Sequence, residues 1–192
     1  MMLANRLSHA NRYLLLDFDC GDAIIQREVA QQIRALTPEY CASTGMIAWV
    51  FSSDTHPSAG FGSYKTTYVW PPNDPTSRNR VIVGYVPLIG LRPAFQGQPA
   101  GARPLDRYSA FVMEHIVAHA VRDYIEHSAE RGRRPFLVAE VHVDNVAARK
   151  FNEHVGFQTF DVPATYDDGI HLRMVLNLEE KVRRLRAEET LT

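Results

Sequence analysis

The sequence predicts a mixed α/β fold, a β-sheet flanked by helices. Two stretches rich in β-branched and aromatic residues, "MIAWVFSS" at 46–53 and "YKTTYVW" at 64–70, read as strands. Ile25, Val29, Ile33 and Leu36 recur on one helical face, and so do Ala147, Ala148, Phe151 and Val155. Taken along the chain, the order is β-α-β-β-β-loop-α-β-α-β-β. Helices interleaved with strands imply a mixed sheet, here of about seven strands.

Each element has its own warrant. "YLLLDF" (Tyr13 to Phe18) reads as a first strand, and a helix over 22–36 follows it. Pro38 stands where that helix has ended. The stretch with Pro57, Gly60 and Gly62 is expected to be a loop, and "PPNDPTSRNR" at 71–80 a second one, long enough for a flap. "VIVGYVPLIGL" at 81–91 is a nearly continuous apolar run, the pattern of a strand buried on both faces. A Gly/Pro/Ala loop leads into a long helix over 107–131, ended by Gly132. Its core face is Phe111, Ile116, Val117, Ala120, Val121, Tyr124 and Ile125.

The next strand begins near Phe136 and carries Val141 and Val143. Asn145 breaks it and is suited to cap the following helix, because its side-chain oxygen accepts from a free backbone N–H. Gly156 suits the C′ position, where φ is positive. Two closing strands form a hairpin around Asp167-Asp168-Gly169, and "LEEKVRRLRAEE" reads as a last helix.

A chain of 192 residues suits a single domain, 1–192, with its core at about 12–178 and a helical tail at 178–192. Apolar content is 45% and charged content 22%, ordinary for a globular protein. No apolar run approaches the roughly 20 residues that span a bilayer. The N-terminus has no apolar core of a secretory signal. Two cysteines, Cys20 and Cys41, give neither a disulfide framework nor metal spacing, so a reduced, cytoplasmic setting is expected. A net charge of −1 gives no bulk electrostatic argument for nucleic acid, which is expected to be an unlikely partner. The basic clusters are local: Arg131, Arg133 and Arg134, and a second set in the tail. Leu178, Val182 and Leu185 form an apolar stripe with two readings, a dock for a second copy (a homodimer) or a solvated tail.

The segment "EVHVDNVAARKFNEHVGF" at 140–157 resembles the GNAT superfamily of acyl-CoA N-acyltransferases. The family pattern is L-E-V-x-x-x-N-x-x-A-x-x-F-Y-x-x-x-G-F. It is matched by Ala139-Glu140-Val141, Asn145, Ala148, Phe151-Asn152 and Gly156-Phe157. Upstream, Leu91-Arg92-Pro93-Ala94-Phe95 resembles the family's V-x-P-x-Y lead-in, and Gln96-Gly97-Gln98-Pro99-Ala100-Gly101 its pyrophosphate loop. The resemblance implies a centrally splayed sheet, acetyl-CoA as cosubstrate, no metal, and a primary amine of a small molecule or protein as acceptor. It implies that Ile89, Gly90, Leu91, Gln96, Gly97, Gln98, Ala100, Gly101, Ala102 and Asn145 bind the cofactor. Thioester recognition would fall to backbone N–H groups between Leu88 and Leu91 and at the end of the strand carrying Glu140 to Val143.

Three departures bear on the chemistry. Pro99 replaces a loop glycine and has no N–H to give a phosphate; Arg92 and Arg103 are the candidates to compensate. Pro87 stands where many members carry a glutamate base. Asn152 replaces the tyrosine that protonates the leaving sulfur, and an amide is not a general acid. Glu140, His142 and Asp144 alternate onto one strand face; Glu140, His142 and Asn152 are the catalytic candidates. The competing reading of Glu140 and His142 is a satisfied polar pair. His56 is a second candidate base. His115 and His119, four apart, fit a metal pair less well than a solvated polar stripe. Cys20 suits packing better than nucleophilic attack.

"FDCGDAIIQREV" at 18–29 also resembles the F-x-C-G opening of GNAT toxins that acetylate aminoacyl-tRNA. Three functions are therefore carried forward: an N-acetyltransferase, a GNAT-like module that binds coenzyme A or regulates without turnover, and a toxin-like enzyme.

Overall fold

The first strand is not where the sequence places it. The computed structural model describes residues 2–71, 79–98, 107–166 and 169–190, without the side chains of 161–166, 189 and 190. Strand β1 is Leu3–Arg6, and Arg12–Leu15 is a 3-10 turn. Leu15 and Phe18 are fully buried while Tyr13 and Leu16 are mostly exposed. That three-residue period belongs to a 3-10 turn and not to a strand. Successive i to i+3 bonds, Leu16 N–H to Tyr13 O and Phe18 N–H to Leu15 O, fix it. β1 has no apolar pattern of its own. It exists through antiparallel pairing with β2 (Ile47–Ser52), from Leu3 opposite Ser52 to Arg6 opposite Trp49.

Two compact units make up the chain, Met1–Lys65 with Val86–Ile116, and Thr66–Tyr85 with Val117–Thr192. Strand β3 (Gly60–Val69) and helix α3 (Tyr108–Glu126) contribute to both.

The first unit holds β1, β2 and the start of β3 in antiparallel order, with α1 (Ile24–Ala35) and α2 (Pro38–Ser43). Gln26 Oε1 accepts the Ala23 N–H at the start of α1, and Thr37 Oγ1 accepts the Tyr40 N–H at the start of α2. Pro38 therefore opens a helix, at the first helical position where a missing N–H costs nothing. Phe18, Ile33, Met46, Val50 and Phe61 form the core of this unit. Burial of each such side chain contributes about 1.5–3 kcal/mol.

Gly60 and Gly62 lie in β3, not in a loop. A Cβ at Gly60 would meet Leu91 Cδ2 at 2.8 Å, and one at Gly62 would meet Ile116 Cδ1 at 2.9 Å. These glycines mark a close approach to α3 and the neighbouring strand, where the sequence suggests a turn.

The apolar run 81–91 is two strands, β4 (Val81–Val86) and β5 (Ile89–Leu91). Pro87 has no N–H to give a ladder, so pairing stops there. Leu88 then bonds Ser63 in a local exchange. Ser63 N–H donates to Leu88 O at 2.9 Å, and Leu88 N–H donates to Ser63 Oγ at 3.0 Å.

The second unit orders its strands β4-β6-β8-β7. Strands β6 (Arg133–His142), β7 (Gln158–Tyr166) and β8 (Gly169–Asn177) form antiparallel pairs, β6 with β8 and β7 with β8. Tyr166 opposite Gly169 closes the expected hairpin; Asp167 and Asp168 lie outside the described residues. Val81, Val83, Val138 and Val175 form a buried cluster. Asn145 caps α4 (Val146–Val155), its Oδ1 accepting the Ala148 N–H at 3.1 Å, and Gly156 ends it at φ +103°. Helix α3 stops at Glu126, and Gly132, at φ +87°, turns the chain into β6.

The tail packs two of the three stripe residues against its own chain, while Leu185 is half-buried and most of the helix is exposed. Leu178 and Val182 of the segment leading into and forming α5 (Glu179–Thr190) are 1% and 6% exposed, and Leu178 N–H bonds Pro135 O. The basic cluster also dissolves: Arg133 is buried and paired with Asp123. Across the described residues the count is eight strands, against about seven expected.

Candidate functional site

In the first unit the useful feature is the backbone of β5. The pairs Ser63/Leu88 and Ala59/Arg92 are hydrogen-bonded, by Ser63 N–H to Leu88 O and by Arg92 N–H to Ala59 O. Between them Gly62 faces Ile89, Phe61 faces Gly90 and Gly60 faces Leu91. Antiparallel partners alternate between bonded and non-bonded, so Gly90 turns its polar groups to β3 while Ile89 and Leu91 turn theirs away. β5 pairs with β3 alone among the described strands. Ile89 and Leu91 thus present outward N–H groups.

This sorts the expected donors. Leu88 is excluded, because Ser63 Oγ holds its N–H. Gly90 is a packing residue and not a donor: a Cβ there would meet Cys20 Sγ at 2.8 Å and Ile33 Cδ1 at 2.9 Å. Gly97 follows at φ +70°, with nothing within 4 Å of a Cβ position. Gln98 is exposed beside it. Pro99, Ala100, Gly101, Ala102 and Arg103 lie outside the described residues.

Neither side chain expected to reach toward phosphates in this stretch is available. Gln96 Nε2 donates to Cys20 O at 2.6 Å and to Leu91 O at 2.8 Å. Arg92 cannot stand in for Pro99. Its Nη2 donates to Asp17 Oδ1 at 2.7 Å and Ser58 Oγ at 2.9 Å, its Nη1 to Asp17 O at 3.0 Å, and its Nε to Ser58 O at 2.8 Å. The hydrogen bond from Arg92 holds the Asp17 carboxyl below its ordinary range. Cys20 is 4% exposed, and burial pushes its thiol up to about 12, so it packs and does not attack.

In the second unit, Glu140 lies opposite Arg173 and His142 opposite His171. Arg173 Nη2 donates to Glu140 Oε1 at 2.9 Å, and Tyr85 Oη to Glu140 Oε2 at 3.5 Å. Glu140 is thus paired with Arg173, a partner the sequence does not announce. The Glu140 carboxylate has the Arg173 guanidinium as its countercharge. The ring of His142 meets that of His171 edge-on, 5.2 Å between centroids. His142 Nδ1 accepts the Asp144 N–H at 3.1 Å and lies 3.8 Å from the Asp144 carboxylate.

Asn145 spends its oxygen on the α4 cap and keeps its amide N–H groups. Asn152 is 4% exposed, and its amide donates to Met174 Sδ at 3.7 Å. A side chain held in the core has no access to a leaving thiolate. His56 Nδ1 accepts the Ser58 N–H at 3.1 Å, and its ring stands edge-on to Phe95. His115 is not on a solvated stripe: its ring packs edge-on against Trp49 at 5.0 Å and Phe51 at 5.5 Å. Among the described residues no group of three His, Cys, Asp or Glu side chains could hold a metal, and no helix is long and apolar enough to cross a membrane.

Arg173, Tyr85, Ser58, Ser63 and Asp17 escape sequence reasoning. Their roles come from strand register and from long-range contacts, and no local spacing announces either.

The architecture is that of the GNAT acetyltransferases. The chain is similar to a tyrosine-to-phenylalanine mutant of the toxin AtaT bound to the C-terminus of the antitoxin AtaR and acetyl-CoA. The TM-score is 0.62 at 14% identity, over 93% of this chain and 94% of that one. It is similar to a putative GNAT-family acetyltransferase from Desulfovibrio desulfuricans, with a TM-score of 0.56 at 16% identity over 93% and 99% of the two chains. Arabidopsis thaliana NAA60 in complex with acetyl-CoA gives 0.56 at 12% identity over 92% and 99%. No protein-family model and no curated protein matches the sequence.

Proposed function

We propose that this chain is an N-acetyltransferase that takes its acetyl group from acetyl-CoA and passes it to a primary amine of a small molecule or protein. The observation that carries this reading is the open edge of β5, with outward N–H groups at Ile89 and Leu91, followed by Gly97 at positive φ. Two N–H groups spaced two apart suit the amides of an extended pantetheine arm, which would add to the edge as a strand does. Gly97 lets the backbone come close to a phosphate. The bound cosubstrate supplies the activated thioester.

Among the described residues, the acid–base candidates already have partners within the fold. Glu140 is held by Arg173, His142 Nδ1 accepts the Asp144 N–H, and Asn152 is in the core. On this reading the acceptor arrives already neutral, loses its proton to water after attack, and the thiolate leaves unprotonated. The rate should then follow the fraction of neutral amine and rise with pH through the acceptor's own pKa.

The test is calorimetric titration of the full chain with acetyl-CoA and coenzyme A, then a thiol-release assay over a panel of amines and peptides. Micromolar binding and amine-dependent thiol release are expected. Binding without turnover across the panel would favour the second reading, a coenzyme-binding module that has lost catalysis; the burial of Asn152 supports that reading. The resemblance to GNAT toxins that acetylate aminoacyl-tRNA adds that substrate to the acceptor panel, and the toxin AtaT is among the similar structures. The F-x-C-G stretch adds less, since Phe18 and Cys20 are core residues and Gly21, at φ +119°, is a turn.

A further inference from the structure

Two side chains leave the stretch between β5 and Gly97, and both run back to the segment before α1. The guanidinium of Arg92 lies 5.1 Å above the Phe18 ring and is only 13% exposed. Its donors reach Asp17 O, Asp17 Oδ1, Ser58 O and Ser58 Oγ, and Ser58 is itself 2% exposed. Gln96 caps Cys20 O and, with the same amide, the outward carbonyl of Leu91. Two carbonyls of the Asp17–Cys20 segment are therefore satisfied by side chains more than seventy residues away. The same segment continues into Gly21 and Asp22, which line a groove of about 520 Å³ along α1 together with Ile24, Arg27 and Arg34.

We propose that Arg92 and Gln96 are positioning residues that lock the Asp17–Asp22 wall of the α1 groove to the coenzyme-binding stretch, so that the two are ordered together. The inference rests on the coenzyme reading for its functional meaning, though the lock itself is a property of the free protein. Its physical basis is the planar fork of arginine. One guanidinium spans a backbone carbonyl, a carboxylate and a serine, which an ammonium on a flexible stem does not reproduce. Loss of the fork leaves a buried serine carbonyl and the Asp17 carbonyl unsatisfied, and the groove wall is released from β5.

Hydrogen exchange of the full chain, with and without coenzyme A, tests this. In the free protein, Arg92→Ala and Arg92→Lys should each speed amide exchange in 17–22 by about tenfold or more, with β2 and the start of β3 protected as in wild type. Asp17→Asn keeps an oxygen acceptor and should stay within about threefold of wild type. Gln96→Ala removes one amide and should act in the same direction, which covers the case of an Arg92 variant that fails to fold. With coenzyme A, wild type should gain protection in both 89–97 and 17–22, and Arg92→Ala in 89–97 alone. Unchanged exchange of 17–22 in both Arg92→Ala and Gln96→Ala overturns the proposal, as does rescue by Arg92→Lys. If wild type binds no coenzyme A, the functional reading fails, and exchange in the free protein still decides the lock.

Discussion

The carboxamide of Asn152 donates to the thioether of Met174, and both side chains lie in the core of the second unit. In the family pattern this is the tyrosine position, so a restoring substitution suggests itself. The geometry argues against it. Asn152→Tyr places a larger ring in a packed interior, where overpacking costs about 1–3 kcal/mol. It should lower the thermal midpoint and leave turnover no higher. Asn152→Ala should cost about 1–2 kcal/mol in stability and leave acetyl-CoA affinity within a factor of three. Thermal melts and calorimetry decide, and a gain in turnover with Asn152→Tyr would refute the assignment.

Gly169 and His142 are coupled by space. Gly169 sits at φ +128°, and a Cβ there would lie 2.5 Å from His142 Nε2. Gly169→Ala is both strained and obstructed, and is expected to cost about 1–3 kcal/mol. It should also move the histidine, seen as a shift of the His142 ring resonances in an NMR titration. His142→Ala makes room, so the double variant should recover part of the loss; strict additivity of the two would show no contact.

Glu140 and Arg173 form a partly buried pair, their side chains 14% and 25% exposed. Removing one partner leaves the other without its charge, and Glu140→Ala or Arg173→Ala should each cost about 1–3 kcal/mol. The double variant should cost clearly less than the two singles together. If Glu140 were instead the general base, Glu140→Gln would abolish turnover with little loss of stability. The expected result is the reverse, so stability and turnover should be measured on the same sample.

The alkaline limb of stability carries a signal from Cys20. Burial raises its thiol to about 12 from an ordinary 9.0, so the folded state resists ionisation. The sign follows directly. The contribution is full below the unfolded value and is lost as pH rises from about 9 toward 12, because only the unfolded chain then gains by losing the proton. Cys20→Ala or Cys20→Ser should flatten the fall in stability above pH 9, measured by urea melts. Alkylation of native protein at pH 8 should be slow and become fast on unfolding.

The legible part of the chain was the part whose signals are local. Asn145, the α4 spacing and Gly156 each act over a few residues, and they match the structure; the strand before them runs Arg133–His142, where Phe136 to Val143 is expected. The first strand was misread because Leu14, Leu15 and Leu16 are apolar whatever their period, and only packing tells Leu15 from its exposed neighbour Leu16. β1 was invisible because its partner, β2, makes it a strand. Gly60 and Gly62 looked like turn residues because a glycine demanded by a neighbouring helix has no sequence mark of its own. At the candidate site the residue types were readable and their roles were not. Arg92 reads as a phosphate ligand until Asp17 and Ser58 are seen to hold it.

The outward N–H of Ile89 offers the most direct test of the coenzyme reading. Proline removes an N–H and fixes φ, and it is tolerated where a strand needs no ladder bond at that residue. Position 89 meets this condition, because Gly62 and Ile89 form a non-bonded pair with β3. Ile89→Pro should therefore keep the β3 pairing and delete one donor. One neutral hydrogen bond is worth about 0.5–1.5 kcal/mol net, so the dissociation constant for coenzyme A should rise about two- to tenfold. Ile89→Val is the control, since it trims the side chain and keeps the N–H. Both variants should melt within a few degrees of wild type. Equal affinity of the proline and valine variants would show that this edge does not hold the cosubstrate. A loss confined to the proline variant would place the pantetheine arm along β5.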